Sequence, residues 1–286
     1  MSTHARTTGP TDPTDHGPWF HYVARRPAPR RRLLCLAGAG SGPSEFLTWP
    51  DELPSDTEVW PVQLPGREQR LREEPCTDLP ALMQNLTKAL DTAETAGPLG
   101  TTDDTTPLPP TPLPLILFGH SFGALVMYDL ARRISAERPG HVRGLIVSGL
   151  AAPAGPTARS RISHLDDAEL LAWIRGLGGT PTELLDERWF ADWLVRDVRT
   201  SYRIRESYEA VSAPPLTCPV VAFGGQDDFE TSAPDLDAWA RVTTGPFRSH
   251  TVPGGHFFLR EQRTQFLTLL GEELRRIPST EPETRS

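Results

Sequence analysis

Short apolar runs alternate along this chain with stretches in which apolar residues recur at helical spacing. The runs are Arg32-Leu33-Leu34-Cys35-Leu36, Thr57-Glu58-Val59-Trp60-Pro61-Val62, Leu115-Ile116-Leu117-Phe118, Gly144-Leu145-Ile146-Val147-Ser148 and Val220-Val221-Ala222-Phe223, with a more polar sixth near 247–252. Helical spacing is read over about 78–95, 124–133 and 260–276. Strands this short and this apolar are buried on both faces, which implies a mostly parallel sheet with helices on each side. The pattern therefore predicts a doubly wound α/β fold. It breaks between 158 and 210, where helical segments such as Leu170-Leu171-Ala172-Trp173-Ile174 and Trp189-Phe190-Ala191-Asp192-Trp193-Leu194 follow one another without strands. Aromatic residues at such spacing usually mean core. Inserted between two strands beyond residue 148, they are read as a helical lid.

The ends and one internal stretch look unable to fold. Residues 1–31 are rich in Thr, Pro, Asp and Arg and are expected to be a largely disordered tail, except for Trp19-Phe20-His21-Tyr22-Val23, which is apolar enough to pack. Residues 97–114 read as a low-complexity surface loop and 277–286 as a disordered C-terminal tail, leaving 32–276 as one domain.

Charge and cysteine content narrow the function classes. A net charge of −8 argues against general nucleic-acid binding. No apolar stretch approaches the roughly 20 residues that span a bilayer, and the first 31 residues lack the apolar centre of a secretion signal. A soluble, cytoplasmic protein without a membrane partner is expected. Cys35, Cys76 and Cys218 lack C-x-x-C spacing and read as reduced thiols, neither a disulfide framework nor a metal site.

The chemistry-bearing segment is Gly119-His120-Ser121-Phe122-Gly123, which sits between the Leu115 strand and the helix that starts near Ala124. Strand, sharp turn and helix form the context of a nucleophile elbow, in which flanking glycines let the two elements approach and the serine hydroxyl stands at the sheet edge. Ser121 is the candidate nucleophile. A serine needs a base, itself oriented by an acid. His256 qualifies as base because Pro253-Gly254-Gly255-His256 places it on a turn after the last strand; His120 reads as support for the elbow and His250 as a strand residue. The acid is expected between nucleophile and histidine in sequence, after a late strand. Phe223-Gly224-Gly225-Gln226-Asp227-Asp228 supplies two carboxylates there, Asp228 favoured and Asp227 open. Oxyanion donors would be the amides of Phe122 and of Ala37, in the glycine-rich loop Leu36-Ala37-Gly38-Ala39-Gly40-Ser41-Gly42. That loop is not a dinucleotide fingerprint, since Pro43 stands where the third glycine of G-x-G-x-x-G belongs.

Four segments together resemble the stand-alone type II thioesterases that accompany polyketide synthases and nonribosomal peptide synthetases, members of the α/β-hydrolase superfamily. They are the loop from Leu36 to Ser41, Val62-Gln63-Leu64-Pro65-Gly66-Arg67-Glu68-Gln69-Arg70-Leu71, Phe118-Gly119-His120-Ser121-Phe122-Gly123-Ala124 and Gly254-Gly255-His256-Phe257-Phe258-Leu259. The resemblance departs at Leu36 and Ala39, where the family shows an aromatic or histidine and a second glycine. It implies an α/β-hydrolase fold in which Ser121, Asp228 and His256 form the triad and Ala37 and Phe122 the oxyanion hole. It also implies hydrolysis of aberrant or stalled acyl groups from phosphopantetheinyl carrier proteins, by a monomer that needs no cofactor or metal. Acidic carrier domains would be the partners, with Arg67, Arg70, Arg72, Arg159 and Arg161 as candidate contacts. The alternatives are a serine carboxylesterase and a chain-releasing thioesterase; the latter takes its acid from the strand after the elbow helix, where this chain has Leu145-Ile146-Val147-Ser148-Gly149-Leu150 and no carboxylate.

Overall fold

The computed structural model describes residues 17–95, 113–153, 161–209 and 214–278. Six strands, β1 (Arg31–Leu36), β2 (Thr57–Pro61), β3 (Leu115–His120), β4 (Val142–Ser148), β5 (Val220–Gly225) and β6 (Phe247–Val252), form one sheet in the order β2-β1-β3-β4-β5-β6. Every pair in it is parallel, as the apolar runs require. Helices α1 (Leu79–Thr95) and α2 (Phe122–Glu137) contribute to one face, and α8 (Arg263–Arg276) to the other.

The side chains of β1 and β3 divide by parity between these two faces. Leu34, Leu36, Leu115 and Leu117 join the core under α1 and α2, whereas Leu33, Cys35, Ile116 and Phe118 join the core under α8, with Phe46, Trp49 and Phe266. The chain leaves β1 toward β2 on one side and returns to β3 on the other. That reversal opens a crevice at the carboxyl ends of β1 and β3, where open α/β sheets place their sites. The register sets Leu36 beside Gly119, so the loop after β1 and the turn after β3 emerge together.

At the edge of the sheet, Ala24 bridges Val59 antiparallel and the Gln63 amide donates to the Trp19 carbonyl at 2.8 Å, so the segment around Phe20 covers the β2 edge. Two expected boundaries shift. Arg31 belongs to β1, its guanidinium paired with Asp56 at 3.0 Å and donating to the carbonyls of Leu274 and Ile277. Ile277, expected in the tail, is 2% exposed and packs over Gly144. Residues 1–16, 97–112 and 279–286 of the expected tails and loop lie outside the described residues.

The stretch after β4 contains α3 (Asp167–Leu177), α4 (Thr182–Asp186) and α5 (Arg188–Ser207). These helices have their own small core, in which Leu170, Ile174, Leu185, Leu194, Val198 and Tyr202 pack together. Two short helices, α6 (Ala233–Asp237) and α7 (Phe258–Glu261), complete the α set.

The turn between β3 and α2 has no room for side chains at its glycines. A Cβ on Gly119 would collide with the backbone of Gly123, and one on Gly123 would collide with the Leu36 carbonyl and lie 2.8 Å from that of Ala37. Gly123→Ala must therefore push α2 away from β1, and a loss of about 2 kcal/mol or more is expected in denaturant unfolding. Wild-type stability in that variant would show that the close approach is dispensable.

Candidate active site

Ser121 sits between the last residue of β3 and the first of α2 with φ 51° and ψ −118°. A serine at positive φ is strained and persists only where its surroundings fix it. Here the Ser121 amide donates to the Ser148 carbonyl at 2.7 Å, while its own carbonyl accepts from Ala124 at 2.9 Å. Phe122 opens α2, where the first amides have no partner within the helix and favour negative charge. The loop after β1 lies alongside. A methyl on Gly38 would meet the Ser121 Cβ at 3.4 Å, and Ala37 is buried at the base of the loop.

Asp228 and His256 meet because β5 and β6 stay zipped beyond their ends. Gln226 donates to the Val252 carbonyl and Asp227 to that of Gly254, both at 2.9 Å. This brings Asp228 Oδ2 to 2.9 Å from His256 Nδ1, with both side chains buried. Asp228 Oδ1 accepts from the Glu230 amide at 2.9 Å. Asp227 is exposed, so of the two adjacent carboxylates it is Asp228 that contacts the histidine.

Ser121, His120 and His256 line a cavity of about 510 Å³, with Trp173, Phe190, Leu194, Val198 and Tyr202 of the inserted helices also among its walls. The Thioesterase domain family matches residues 107–274. The chain belongs to the thioesterase family. It is 32% identical over 259 residues to the gramicidin S biosynthesis protein GrsT of Aneurinibacillus migulanus, a match that spans 91% of this chain and 94% of GrsT. Thioesterase PikA5 of Streptomyces venezuelae is 33% identical over 250 residues, covering 87% of this chain and 82% of its own. Among solved structures, the type II thioesterase BorB from the borrelidin biosynthetic cluster superposes with a TM-score of 0.72 at 30% identity, covering 91% of this chain and 98% of BorB. The α/β-hydrolase fold and a hydrolase acting on thioesters follow from these matches. Among the described residues no helix is long and apolar enough to cross a membrane, and no cluster of side chains could hold a metal ion.

Two of the thioesterase's arginines do other work than the sequence suggested. Arg67, expected on a carrier-facing surface, is 3% exposed. Its Nε pairs with Asp197 Oδ1 of α5 at 3.0 Å, Nη1 donates to the carbonyls of Gly38 and Ser41, each at 2.8 Å, and Nη2 donates to Ser201 Oγ at 3.0 Å. Asp197 Oδ2 in turn accepts from the Gly40 amide at 2.7 Å. The pair thus fastens the loop after β1 to α5, a role that the position of Arg67 in the Gln63–Arg67 segment does not reveal. Arg70 is bound to Glu73 at 2.6 Å and lies over the Trp19 ring. Arg72 and Arg161 are exposed, and Arg159 lies outside the described residues.

His120, the last residue of β3, is buried beside the elbow. Its Nδ1 is 2.9 Å from Ser148 Oγ, and its ring is 5.0 Å from that of His256. Ser148 is the last residue of β4. His250 is a strand residue that faces Glu273 at 3.1 Å. Cys35 and Cys218 are buried, which raises both thiols, the second to about 11, and leaves them poor nucleophiles.

Burial, with the His256 and Arg260 charges nearby, holds His120 well below the usual 6.5. In the unfolded chain it titrates normally, so its stabilising neutral state is fully present above 6.5 and is lost as pH falls below that value. The thermal midpoint is expected to drop from about pH 7 to about pH 5, and His120→Gln to make that drop shallower. An equally steep drop in the variant would mean that another group is responsible.

Proposed function

We propose that Ser121, His256 and Asp228 act as nucleophile, general base and orienting acid. In this reading the enzyme is a type II thioesterase that clears aberrant or stalled acyl groups from phosphopantetheinyl carrier proteins. The observation that carries the catalytic assignment is the buried contact of Asp228 with His256, which lines the same cavity as Ser121. With Asp228 on Nδ1, the other ring nitrogen, Nε2, is the one available to take the Ser121 proton.

Attack of Ser121 Oγ on the thioester carbonyl then places an oxyanion beside the amides of Phe122 and Ala37. Each such donor contributes about 3 kcal/mol to the transition state. Arg67 serves this step indirectly by holding the Gly38 and Ser41 carbonyls and hence the backbone that follows Ala37. Collapse expels the thiol, which takes the proton held on His256. Water, deprotonated by the same imidazole, releases the acid and regenerates the serine. The near-complete overlap with GrsT and with the type II thioesterase BorB supports the editing role, and the Ser148 end of β4 fits it better than a chain-releasing one.

Release of free acid from acetyl-, propionyl- and longer acyl-carrier protein, followed by mass spectrometry beside p-nitrophenyl esters, tests the reading. Carrier-bound thioesters are expected to be strongly preferred, and Ser121→Ala to abolish turnover. Asp228→Asn should lower kcat by about a thousandfold or more. Asp227→Asn should stay within about twofold, as an exposed carboxylate away from the imidazole. Efficient ester turnover without carrier preference would make the enzyme a general esterase, and equal losses at both aspartates would undo the acid assignment.

A further inference from the structure

Among the described residues, two that are not glycine have a left-handed backbone, Ser121 at φ 51° and Glu68 at φ 40°. Both line the same cavity. Backbone strain of this kind persists where the surroundings fix it, and it gathers at functional sites. The elbow accounts for Ser121. Glu68 lies on a half-buried turn, where glycine or asparagine would adopt the same backbone at less cost.

The turn aims two successive side chains at one loop. Arg67 points inward and holds the carbonyls of Gly38 and Ser41. Glu68 meets the far end of that loop, where its Oε1 accepts from Ser44 Oγ at 2.6 Å and from the Ser44 amide at 3.2 Å. Gly42 makes room for this, since a Cβ there would collide with the Glu68 carboxylate. Ser44 belongs to the short 3-10 helix Pro43–Phe46, which Gly42 precedes without a side chain to cap it. Glu68 supplies the missing acceptor from elsewhere in the chain. Beyond Ser44, Phe46 is fully buried against Trp49. At its near end the loop lies against the nucleophile, Gly38 beside the Ser121 Cβ. A cap and a surface hydrogen bond return little more stability than a left-handed glutamate costs, so stability alone does not call for glutamate at this position.

We propose that Glu68 is a positioning residue for the reaction: its carboxylate fixes the Ser44 end of the loop after β1 and thereby keeps the Ala37 amide in place for the oxyanion. The proposal rests on the thioesterase reading above. Arg67 and Asp197 pin the middle of the loop, and Glu68 removes the slack that would remain beyond Ser41. A donor to the oxyanion acts in the transition state, so a slack loop lowers kcat and leaves KM near its value.

Steady-state hydrolysis of hexanoyl-N-acetylcysteamine by the full chain and by Glu68→Ala, Glu68→Gly and Glu68→Gln, with thermal melting of each, tests this. Glu68→Ala and Glu68→Gly are expected to lose about tenfold in kcat with KM changed by less than about twofold. Glu68→Gln keeps an oxygen that accepts from Ser44 and should retain about half the activity or more. Glu68→Gly should melt no lower than Glu68→Ala, because glycine takes the left-handed turn without strain, yet be no more active. Full kcat in the alanine and glycine variants overturns the proposal. A loss that falls on KM, or one as large in Glu68→Gln as in Glu68→Ala, would mean that the charge itself meets the substrate and overturns it equally. A glycine variant that melts below the alanine one would show an unstrained turn at residue 68, with the same result. Failure of the wild type to hydrolyse the thioester, on N-acetylcysteamine or on carrier protein, removes the thioesterase reading and the role of Glu68 with it.

Discussion

The active site depends on one buried ion pair between parts of the chain that are 130 residues apart, Arg67 and Asp197. The guanidinium spends its donors on a carboxylate, two loop carbonyls and a serine hydroxyl, and the carboxylate accepts the Gly40 amide in return. Burying such a pair gains little net stability over an apolar contact, yet removing one partner leaves an uncompensated charge inside and costs about 3–5 kcal/mol. Its value is geometric. A glycine-rich loop has no side chains of its own to fix its path, and here the path of the residues that follow Ala37 is set by a fork that only arginine can supply.

The same pair ties α5 to the loop that lies beside Ser121. Further along α5, Arg205 is paired with buried Glu230, whose amide donates to Asp228, so the helix is tied to the loop after β1 and to the loop after β5. The α3–α4 connection is attached more lightly. Gly179, at φ 78°, lies so close to Phe257 that any Cβ would collide with the ring, and its carbonyl accepts from Arg260 at 3.0 Å. Arg260 also bonds Ser41 Oγ at 2.7 Å and pairs with Glu45. Cavity shape is thus set by an anchored helix on one side and by an arginine-held loop beside His256 on the other.

Features encoded locally were legible in the sequence. Strands β1 to β5 were each announced by a short apolar run and β6 by a more polar one, and the elbow by two glycines at which a Cβ would collide with backbone atoms. His256 was marked by the glycine turn after a strand. Asp228 was favoured but Asp227 stayed open, because adjacent residues differ only in which way the loop turns them. The pairing of Asp227 N–H with the Gly254 carbonyl decides that and is a tertiary contact. Arg67 was misread as a surface charge for the same reason, since its partners on α5 lie far away in sequence. Arg31 and Ile277 fell on the wrong side of their boundaries because composition assigned them to tails, while their burial is set by contact with each other and with Asp56 and Gly144.

A double-mutant cycle on kcat/KM for an acyl thioester, using Arg67→Lys, Asp197→Asn and the two combined, tests the ion pair's control of the site most directly. If it positions the oxyanion loop as a unit, each single change lowers kcat by about tenfold or more, and the double variant loses no more than the worse single, a coupling of about 1–3 kcal/mol. Losses that simply add would mean that Arg67 and Asp197 act separately and that the loop holds its shape without them.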